Sequence, residues 1–186
     1  MTARDLRRAD LVSAMADHLL AHGLAGASLR PMARAAGTSD RMLLYYFADR
    51  DEVLGATLDH LAARLAGLLD AALPDPAPRP FARLLAEAWA VMGAPEGRPY
   101  MRIWLELVAQ AAGGAEPHRA IAATIFQGFL DWVEARLAIA DAADRRDAAR
   151  LLLTAVEGMM VADAAGARDA ADAAARRLAR LAAAQG

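Results

Sequence analysis

Residues 28–50, SLRPMARAAGTSDRMLLYYFADR, decide the fold because they contain two short helical stretches around one glycine. Ser28 is an N-cap candidate, and Pro31 fits a first helical turn, where backbone N–H groups have no helical partner. Gly37 can adopt a positive φ without steric cost and so ends the first helix, after which Ser39 can cap a second one. The pattern predicts two helices joined by a turn of about two residues.

The spacing of small and apolar residues in this stretch is typical of a helix-turn-helix. Ala33 lets the two helices approach each other, and Leu43, six residues after Gly37, packs between them. The inner side of the second helix is expected to consist of Met42, Leu43, Tyr46 and Phe47. The outward side, which a recognition helix turns toward a DNA major groove, is then Asp40, Arg41 and Tyr45. Two helices joined at a glycine also occur in helical proteins that bind no nucleic acid, so the spacing alone leaves both interpretations open.

The segment from Asp10 to Leu58 resembles the amino-terminal DNA-binding region of the TetR family of transcriptional regulators. The features that match in order and spacing are an opening helix ending at His22-Gly23, then Ser28-Leu29-Arg30, Ala33, Ala36-Gly37, Ser39, Leu43, Tyr46-Phe47 and Asp49-Arg50-Asp51-Glu52. The resemblance implies a three-helix DNA-binding domain with a helix-turn-helix at residues 1–48 and a helical ligand-binding and dimerisation bundle at residues 49–186. Abundant alanine and the lack of strand-like alternation agree with an all-α protein, and we expect about nine helices.

Eight residues of this segment are the candidates for DNA contact: Arg30, Thr38, Ser39, Asp40, Arg41, Tyr45, Tyr46 and Arg50. The resemblance implies contacts to DNA at Arg30, Tyr45 and Arg50. Thr38 and Ser39 can donate hydrogen bonds to phosphate. Arg41 can donate two hydrogen bonds to guanine, and Asp40 can accept one from cytosine N4. Asp40 can equally complement the helix dipole, and Arg41 can simply be solvated.

Position 44 departs from the family, because Leu44 stands where most members have a tyrosine that contacts phosphate. Leucine cannot donate a hydrogen bond, so either Tyr45 supplies the contact from a slightly rotated helix or one phosphate contact is absent. The acidic Asp40 adds repulsion from phosphate groups. Leu44 and Asp40 therefore support an alternative in which the chain is a helical interaction protein that has lost specific DNA binding.

Composition excludes several other classes of protein. The 186 residues include no cysteine, which suits an intracellular protein and rules out disulfides and thiolate metal sites. The first ten residues are charged and no apolar run is long enough to span a bilayer, so we expect a cytoplasmic protein with no membrane partner. We expect neither an enzyme nor a bound cofactor, because the sequence has no glycine-rich phosphate loop and no His/Glu metal motif.

Charge is distributed unevenly along a chain whose net charge is −2. Residues 1–50 hold seven arginines against five aspartates, a balance of +2. Arg4, Arg7 and Arg8 begin the first predicted helix, from about Arg4 to His22, where positive charge opposes the helix dipole. This cluster either meets DNA phosphate or is a solvated helix end. His18 and His22, four residues apart, could ligate a metal, although no third ligand is recognisable.

A long fourth helix is predicted from the capping pattern of Asp49 and Glu52 to about Ala72. The proline-rich residues 73–80, LPDPAPRP, end it and are expected to form a stiff connector. Later helices are predicted at residues 80–93, 98–112, 117–140, 144–165 and 168–184. The fourth helix could link a DNA-facing module to a distal body, or could be an ordinary bundle helix.

Large apolar side chains concentrate in the middle helices, where they form either a core or a cavity for a small apolar or aromatic molecule. The candidate ligand-binding residues are Trp89, Met92, Met101, Trp104, Phe126, Phe129 and Met159. Glu106, Gln127 and Glu157 lie on or near the same faces and could orient the polar end of a ligand, or could point to water.

The last two predicted helices, within residues 144–184, combine small and apolar residues that would let another helix come close. The family resemblance implies that they pair with the same helices of a second subunit. A homodimer would place two recognition helices over a palindromic operator in double-stranded DNA. The function expected from the sequence is therefore a ligand-responsive transcriptional repressor that releases its operator when an effector binds.

Overall fold

The computed structural model describes residues 2–73 and 77–184, and over these residues the chain is all-α, which confirms the predicted fold class. The helices are α1 (Ala3–His22), α2 (Leu29–Ala35), α3 (Asp40–Tyr46), α4 (Arg50–Ala72), α5 (Phe81–Gly93), α6 (Arg98–Ala112), α7 (His118–Glu134), α8 (Ala142–Ala164) and α9 (Arg168–Ala183). A short 3₁₀ helix, Leu24–Gly26, lies between α1 and α2. Within the described ranges, no helix is both long enough and apolar enough to cross a membrane.

The predicted connector at residues 73–80 falls partly outside the described residues, because residues 74–76 are not among them. Arg79, near its end, exchanges two backbone hydrogen bonds with the chain after α7: Arg79 N–H donates to the Arg136 carbonyl at 2.8 Å, and Ala138 N–H donates to the Arg79 carbonyl at 2.8 Å. This pairing explains why α7 ends at Glu134, whereas the predicted helix ran to residue 140. The extended backbone of residues 137–138 satisfies its polar groups against Arg79 instead of continuing the helix.

The described chain divides into two compact units. The first unit contains residues 1–65 and 99–125, so it joins the N-terminal helices to most of α6 and the start of α7. The second unit contains residues 66–98 and 126–186. The division passes through α4 after Leu65. The domain boundary expected after residue 48 stays a prediction.

The core of the second unit is built from α5, α8 and α9, which pack against one another. Leu84, Leu85 and Leu152 are almost fully buried there. The Trp89 indole N–H donates to Asp172 Oδ1 at 2.7 Å, and the Arg168 guanidinium lies over the Trp89 ring at 4.5 Å. The indole N–H, with the Arg168 charge, holds the pKa of Asp172 below its usual value.

Near the end of α4, Asp70 connects that helix to α7 within the second unit. The Trp132 indole N–H donates to Asp70 Oδ1 at 3.0 Å, and Arg136 forms an ion pair with the same carboxylate. The Arg136 guanidinium also lies over the Trp132 ring at 4.0 Å. These contacts fix the C-terminal turns of α4 against α7.

Candidate nucleic-acid interface

The turn between α2 and α3 depends on Gly37, which has a φ of +62°. Its N–H donates to the Arg34 carbonyl at 3.0 Å, and the Thr38 N–H donates to the Ala33 carbonyl at 2.9 Å. This pair of bonds is the Schellman arrangement, which requires a left-handed residue and therefore favours glycine. Ala33 is buried, as the close approach of α2 to α3 requires.

The start and the inner side of α3 follow the sequence pattern with one exception. Ser39 caps α3 through its hydroxyl, which accepts from the Met42 N–H at 3.3 Å. Leu43 and Phe47 are buried, and Tyr46 is half-buried. The prediction for Met42 was wrong, because its side chain is exposed. In a helix, position 42 lies about 100° from Leu43 and falls beyond the edge of the buried side. Ser28 precedes α2 as predicted, but its side chain makes no capping hydrogen bond.

The predicted DNA-contacting residues divide into two groups by exposure. The exposed ones are Arg30, Ser39, Arg41, Tyr45 and Arg50, and the half-buried ones are Thr38, Asp40 and Tyr46. Arg30 and Asp40 form an ion pair at 3.9 Å that is open to solvent, since the Arg30 side chain is 76% and the Asp40 side chain 44% exposed, so it adds little stability. Its effect is to place a positive charge beside the carboxylate that would otherwise repel phosphate groups. Contact of these residues with DNA stays a prediction.

Two arginines at the start of α1 connect it to other helices of the first unit. Arg4 donates to the Tyr45 carbonyl at 3.1 Å, and its guanidinium lies 5.2 Å from the centre of the Tyr45 ring. Arg8 donates to Glu52 at 2.8 Å and lies over the Phe47 ring at 4.5 Å. The sequence offered phosphate binding or simple solvation for this cluster, whereas the structure gives Arg4 and Arg8 internal partners.

Glu52 accepts two hydrogen bonds at the start of α4. The Ala48 N–H donates to its carboxylate at 2.5 Å, and Arg8 donates to the other oxygen at 2.8 Å. The pKa of Glu52 is lowered from its usual value, mainly by the hydrogen bond from the Ala48 N–H and secondly by the one from Arg8. The Asp49 carboxylate accepts from the Glu52 N–H at 2.8 Å, so Asp49 caps α4 as predicted. The Glu52 carboxylate binds the Ala48 N–H, one residue before the N–H that the predicted capping box uses.

Two α6 side chains hold the end of α1, and the sequence did not predict this contact. Arg102 donates to the Leu20 carbonyl at 2.7 Å, and Glu106 accepts from the Leu24 N–H at 2.5 Å. Gly23 lies between these two points with a φ of +71°, and a Cβ there would come within 2.7 Å of a Glu106 oxygen. We name Arg102 and Glu106 the α6 clamp. The sequence predicts that Glu106 either orients a ligand or points to water, whereas in the structure its carboxylate accepts from Leu24 in the α1–α2 connection.

The predicted ligand-binding residues lie in both units. Met101 and Trp104, in the first unit, are half-buried. In the second unit Trp89 and Met159 are buried, whereas Met92, Phe126 and Phe129 are half-buried. Trp89 packs as part of the α5, α8 and α9 core. Gln127 donates to Asp131 at 2.7 Å on the exposed side of α7. The role of these residues in ligand binding stays a prediction.

The second unit has a surface groove of about 700 Å³, which lies apart from the predicted ligand-binding residues. Its lining consists of Pro78, Glu134, Ala135, Leu137, Ala138, Ile139, Ala140 and Arg145. Arg145 spans part of it by donating to the Ile139 carbonyl at 2.9 Å. None of the predicted ligand-binding residues lines this groove.

The two histidines near the end of α1 stack on each other, with ring centroids 4.3 Å apart. His22 Nδ1 lies 2.9 Å from the His18 carbonyl oxygen. Across residues 2–73 and 77–184, no three His, Cys, Asp or Glu side chains are grouped as metal ligands would be. The geometry gives these rings a packing role at the α1–α2 connection.

Comparison with known proteins relates the chain to transcriptional regulators. No family model matches the sequence. The HTH-type transcriptional regulator BetI of Pseudomonas aeruginosa is 33% identical over 103 residues, which cover 54% of this chain and 52% of that protein. BetI of Burkholderia thailandensis is 33% identical over 111 residues, covering 58% of this chain and 56% of that protein. The chain thus spans about half the length of the relatives that it matches.

Solved structures agree over nearly the whole chain. A TetR-family regulator from Rhodococcus sp. superposes with a TM-score of 0.74 at 21% identity, over 92% of this chain and 96% of the other. A TetR-family regulator from Cytophaga hutchinsonii gives a TM-score of 0.73 at 18% identity, over 99% of this chain and 96% of the other. At these identities the likeness establishes the fold.

Proposed function

We propose that this chain, which has the fold of the TetR family of transcriptional regulators, is itself a DNA-binding transcriptional regulator of the cytoplasm. In this proposal it binds a palindromic operator as a homodimer and represses transcription. A small apolar or aromatic effector then lowers its affinity for the operator. The proposal adds the DNA contact, the dimer and the ligand response to what the fold alone establishes.

One observation carries the proposal: the outward side of α3 presents side chains suited to a DNA groove. Leu43 and Phe47 anchor the opposite side of α3 in the core, so the helix cannot rotate without exposing them. Arg41 and Tyr45 are thereby held outward on successive turns. Arginine forks suit both guanine edges and phosphate oxygens, and a helix fixed in this way can enter a major groove.

The dimer is supported by apolar side chains that α8 and α9 leave exposed. Leu151, Val161 and Leu181 are 54%, 57% and 43% exposed. Leu151, Gly158 and Val161 recur at helical spacing along α8, and open space lies above Gly158. Exposed apolar residues on paired helices favour burial against a second copy. Sedimentation equilibrium should accordingly give about twice the mass of 19.7 kDa.

The ligand response is supported by the continuity of α4, which runs from Arg50 in the first unit to Ala72 in the second. A change of packing around Trp132, which donates to Asp70 near the end of α4, would act on the helix that begins beside α3. The effector shifts the operator affinity only as far as it prefers one conformation over the other. Repression and release therefore require that the effector bind the DNA-bound and free conformations with different affinities.

The proposal is tested by selecting duplexes from a random library and measuring their affinity by fluorescence anisotropy at several salt concentrations. We expect a palindromic site whose affinity falls steeply with salt, as phosphate contacts require. Arg41→Ala should weaken binding and change the preferred base at one position, whereas Arg30→Ala should weaken binding to all duplexes. Arg83→Ala, an exposed arginine of α5, is the matched control and should change neither.

A helical interaction protein is the second candidate function, because Leu44 and Asp40 lie on the outward side of α3. It predicts no selected duplex and no salt-dependent binding at physiological salt. A selected site that Arg41→Ala weakens would contradict this second candidate. Failure to select any site with the parent protein would contradict the proposed function as a DNA-binding regulator.

A further inference from the structure

The recognition helix α3 carries an unusually apolar outward side. Met42, Leu44 and Tyr45 are 42%, 46% and 61% exposed on a helix of seven residues. Most large apolar side chains of the first unit are buried instead. Grouped exposed apolar residues on a small helix indicate a contact surface for a partner.

The direction of these side chains follows from helix geometry. With Leu43 and Phe47 buried, Arg41 and Tyr45 lie near the centre of the opposite side, and Leu44 lies about 60° to one side of Arg41. Met42 lies at the other edge. Leu44 and Tyr45 therefore project toward the same partner as Arg41 does.

Cationic groups frame this apolar surface. At the start of α3, the exposed Arg30 of α2 lies beside Asp40. At the end of α3, Arg4 of α1 donates to the Tyr45 carbonyl. Positive charge at both ends of a helix complements a duplex, because phosphates line both edges of a groove. Between these ends, Leu44 offers no hydrogen-bond donor. The part of the surface formed by Leu44 and the Tyr45 ring thus fits an apolar group that lies between two rows of phosphates.

Thymine supplies such a group, because its C5 methyl is the apolar feature of base edges in the major groove. We propose that Leu44 and Tyr45 read thymine methyl groups, so that the operator carries thymine opposite the C-terminal half of α3. The inference rests on the proposed function and specifies its DNA sequence class. Arg41, one turn earlier, then reads guanine beside these thymines.

The test replaces thymine by uracil, one position at a time, in the duplex selected with the parent protein. Uracil lacks only the methyl group and keeps the same hydrogen-bonding edge. At the contacted positions the parent should lose about fourfold in affinity per methyl group removed, the ratio expected for burying one such group. Leu44→Ala should bind the thymine duplex more weakly and should lose the preference for thymine at the position that Leu44 contacts, while Tyr45→Ala should lose it at the position that Tyr45 contacts.

A matched control comes from Leu6, a leucine of α1 that is 48% exposed, against 46% for Leu44. Leu6→Ala should keep the full preference for thymine over uracil. Circular dichroism should show unchanged helix content in both variants, because neither side chain is buried. Equal affinity of the parent for the two duplexes would overturn the inference, as would a preference that survives in Leu44→Ala and Tyr45→Ala. In either case salt-dependent binding persists and the proposed function stands. If the parent binds no duplex at all, the inference and the proposed function are both contradicted.

Discussion

Each of the two units is stabilised by contacts within itself, and the kinds of contact differ between them. In the first unit, side chains of one helix bind backbone groups at the end of another, as Arg102 does at Leu20 and Glu106 at Leu24. In the second unit, buried leucines of α5 and α8 and alanines of α9 pack against one another. Both units also bury an apolar core, with Leu19 and Leu43 fully buried in the first unit and Leu84 and Leu152 in the second. What differs is where the directional bonds lie. In the first unit they hold the end of α1 next to the helix-turn-helix, whereas in the second they join Trp89 to α9 and Trp132 to α4.

This difference predicts which property each kind of mutation alters. Removing a buried apolar side chain from the second unit should mainly lower the free energy of unfolding. Removing a polar contact from the first unit should mainly change how α1, α2 and α3 are presented, and hence the affinity for DNA. Leu85→Ala and Glu106→Ala test this contrast directly, and Gly23→Ala and Glu52→Gln test single constraints within the first unit. The four follow in order of decreasing effect.

Leu85→Ala should produce the largest loss of stability, because Leu85 is fully buried in the core of the second unit. We expect the free energy of unfolding to fall by about 2–5 kcal/mol, the range for a leucine truncated in a packed core. Urea unfolding followed by circular dichroism measures it. Arg83→Ala, on the exposed side of the same helix, should change it by less than about 0.5 kcal/mol. Similar losses in the two variants would refute the packed core.

Gly23→Ala should destabilise the first unit, because Gly23 has a φ of +71° and a ψ of −172°, a region that is accessible almost only to glycine. The new Cβ would also press on Glu106. We expect a loss of about 1–3 kcal/mol on thermal or urea unfolding. The control is Gly37→Asn, at a positive φ that asparagine tolerates and with open space around it. A Gly23→Ala protein as stable as the parent would show that this connection is not constrained.

Glu106→Ala should reduce operator affinity about tenfold, the factor that corresponds to one hydrogen bond of about 1.4 kcal/mol, while leaving most of the stability intact. The carboxylate is partly exposed, so its loss costs less than that of a buried group, but the Leu24 N–H loses its partner and the end of α1 is released. Fluorescence anisotropy and urea unfolding are measured on the same preparation. Gln110→Ala, on an exposed position one turn later on α6, should leave both unchanged. A larger effect on unfolding than on affinity would reverse the contrast between the units.

Glu52 should give a small pH dependence, because its pKa is lowered in the folded protein by the Ala48 N–H and by Arg8. A lowered folded-state pKa adds stability at pH values above the unfolded value near 4.5, and this contribution disappears as the pH falls through the folded value. The stability difference between the parent and Glu52→Gln should therefore be present at pH 7 and shrink below about pH 4. A difference that stays constant down to pH 3 would exclude this carboxylate as the source.

Much of the fold was predictable because local signals coincide with the helix ends. Gly37 follows the end of α2, Ser39 caps α3 and Asp49 caps α4, so residues next to each of these helix ends predict where it lies. The TetR resemblance, based on the same residues, is confirmed by the fold. The end of α7 was not predictable, since Arg79 determines it from more than 50 residues away.

The candidate site was predictable only in part. Exposure of Arg41 and Tyr45 follows from the apolar pattern of α3, but the contacts of Arg4 and of the α6 clamp join residues 41 and 82 positions apart. Such contacts leave no local signal. Gly23 is a partial local signal, because a glycine after a helix predicts a constrained turn but does not predict which side chain packs against it.

The most direct test of the central claim, that the outward side of α3 meets a DNA duplex, is photo-cross-linking from position 45. Tyr45→p-benzoylphenylalanine, irradiated with the selected duplex, should form a covalent adduct with bases inside the selected site. The same replacement at Arg83 on α5 should give none. Binding of the duplex without an adduct from position 45, or with an adduct from position 83 instead, would contradict the account.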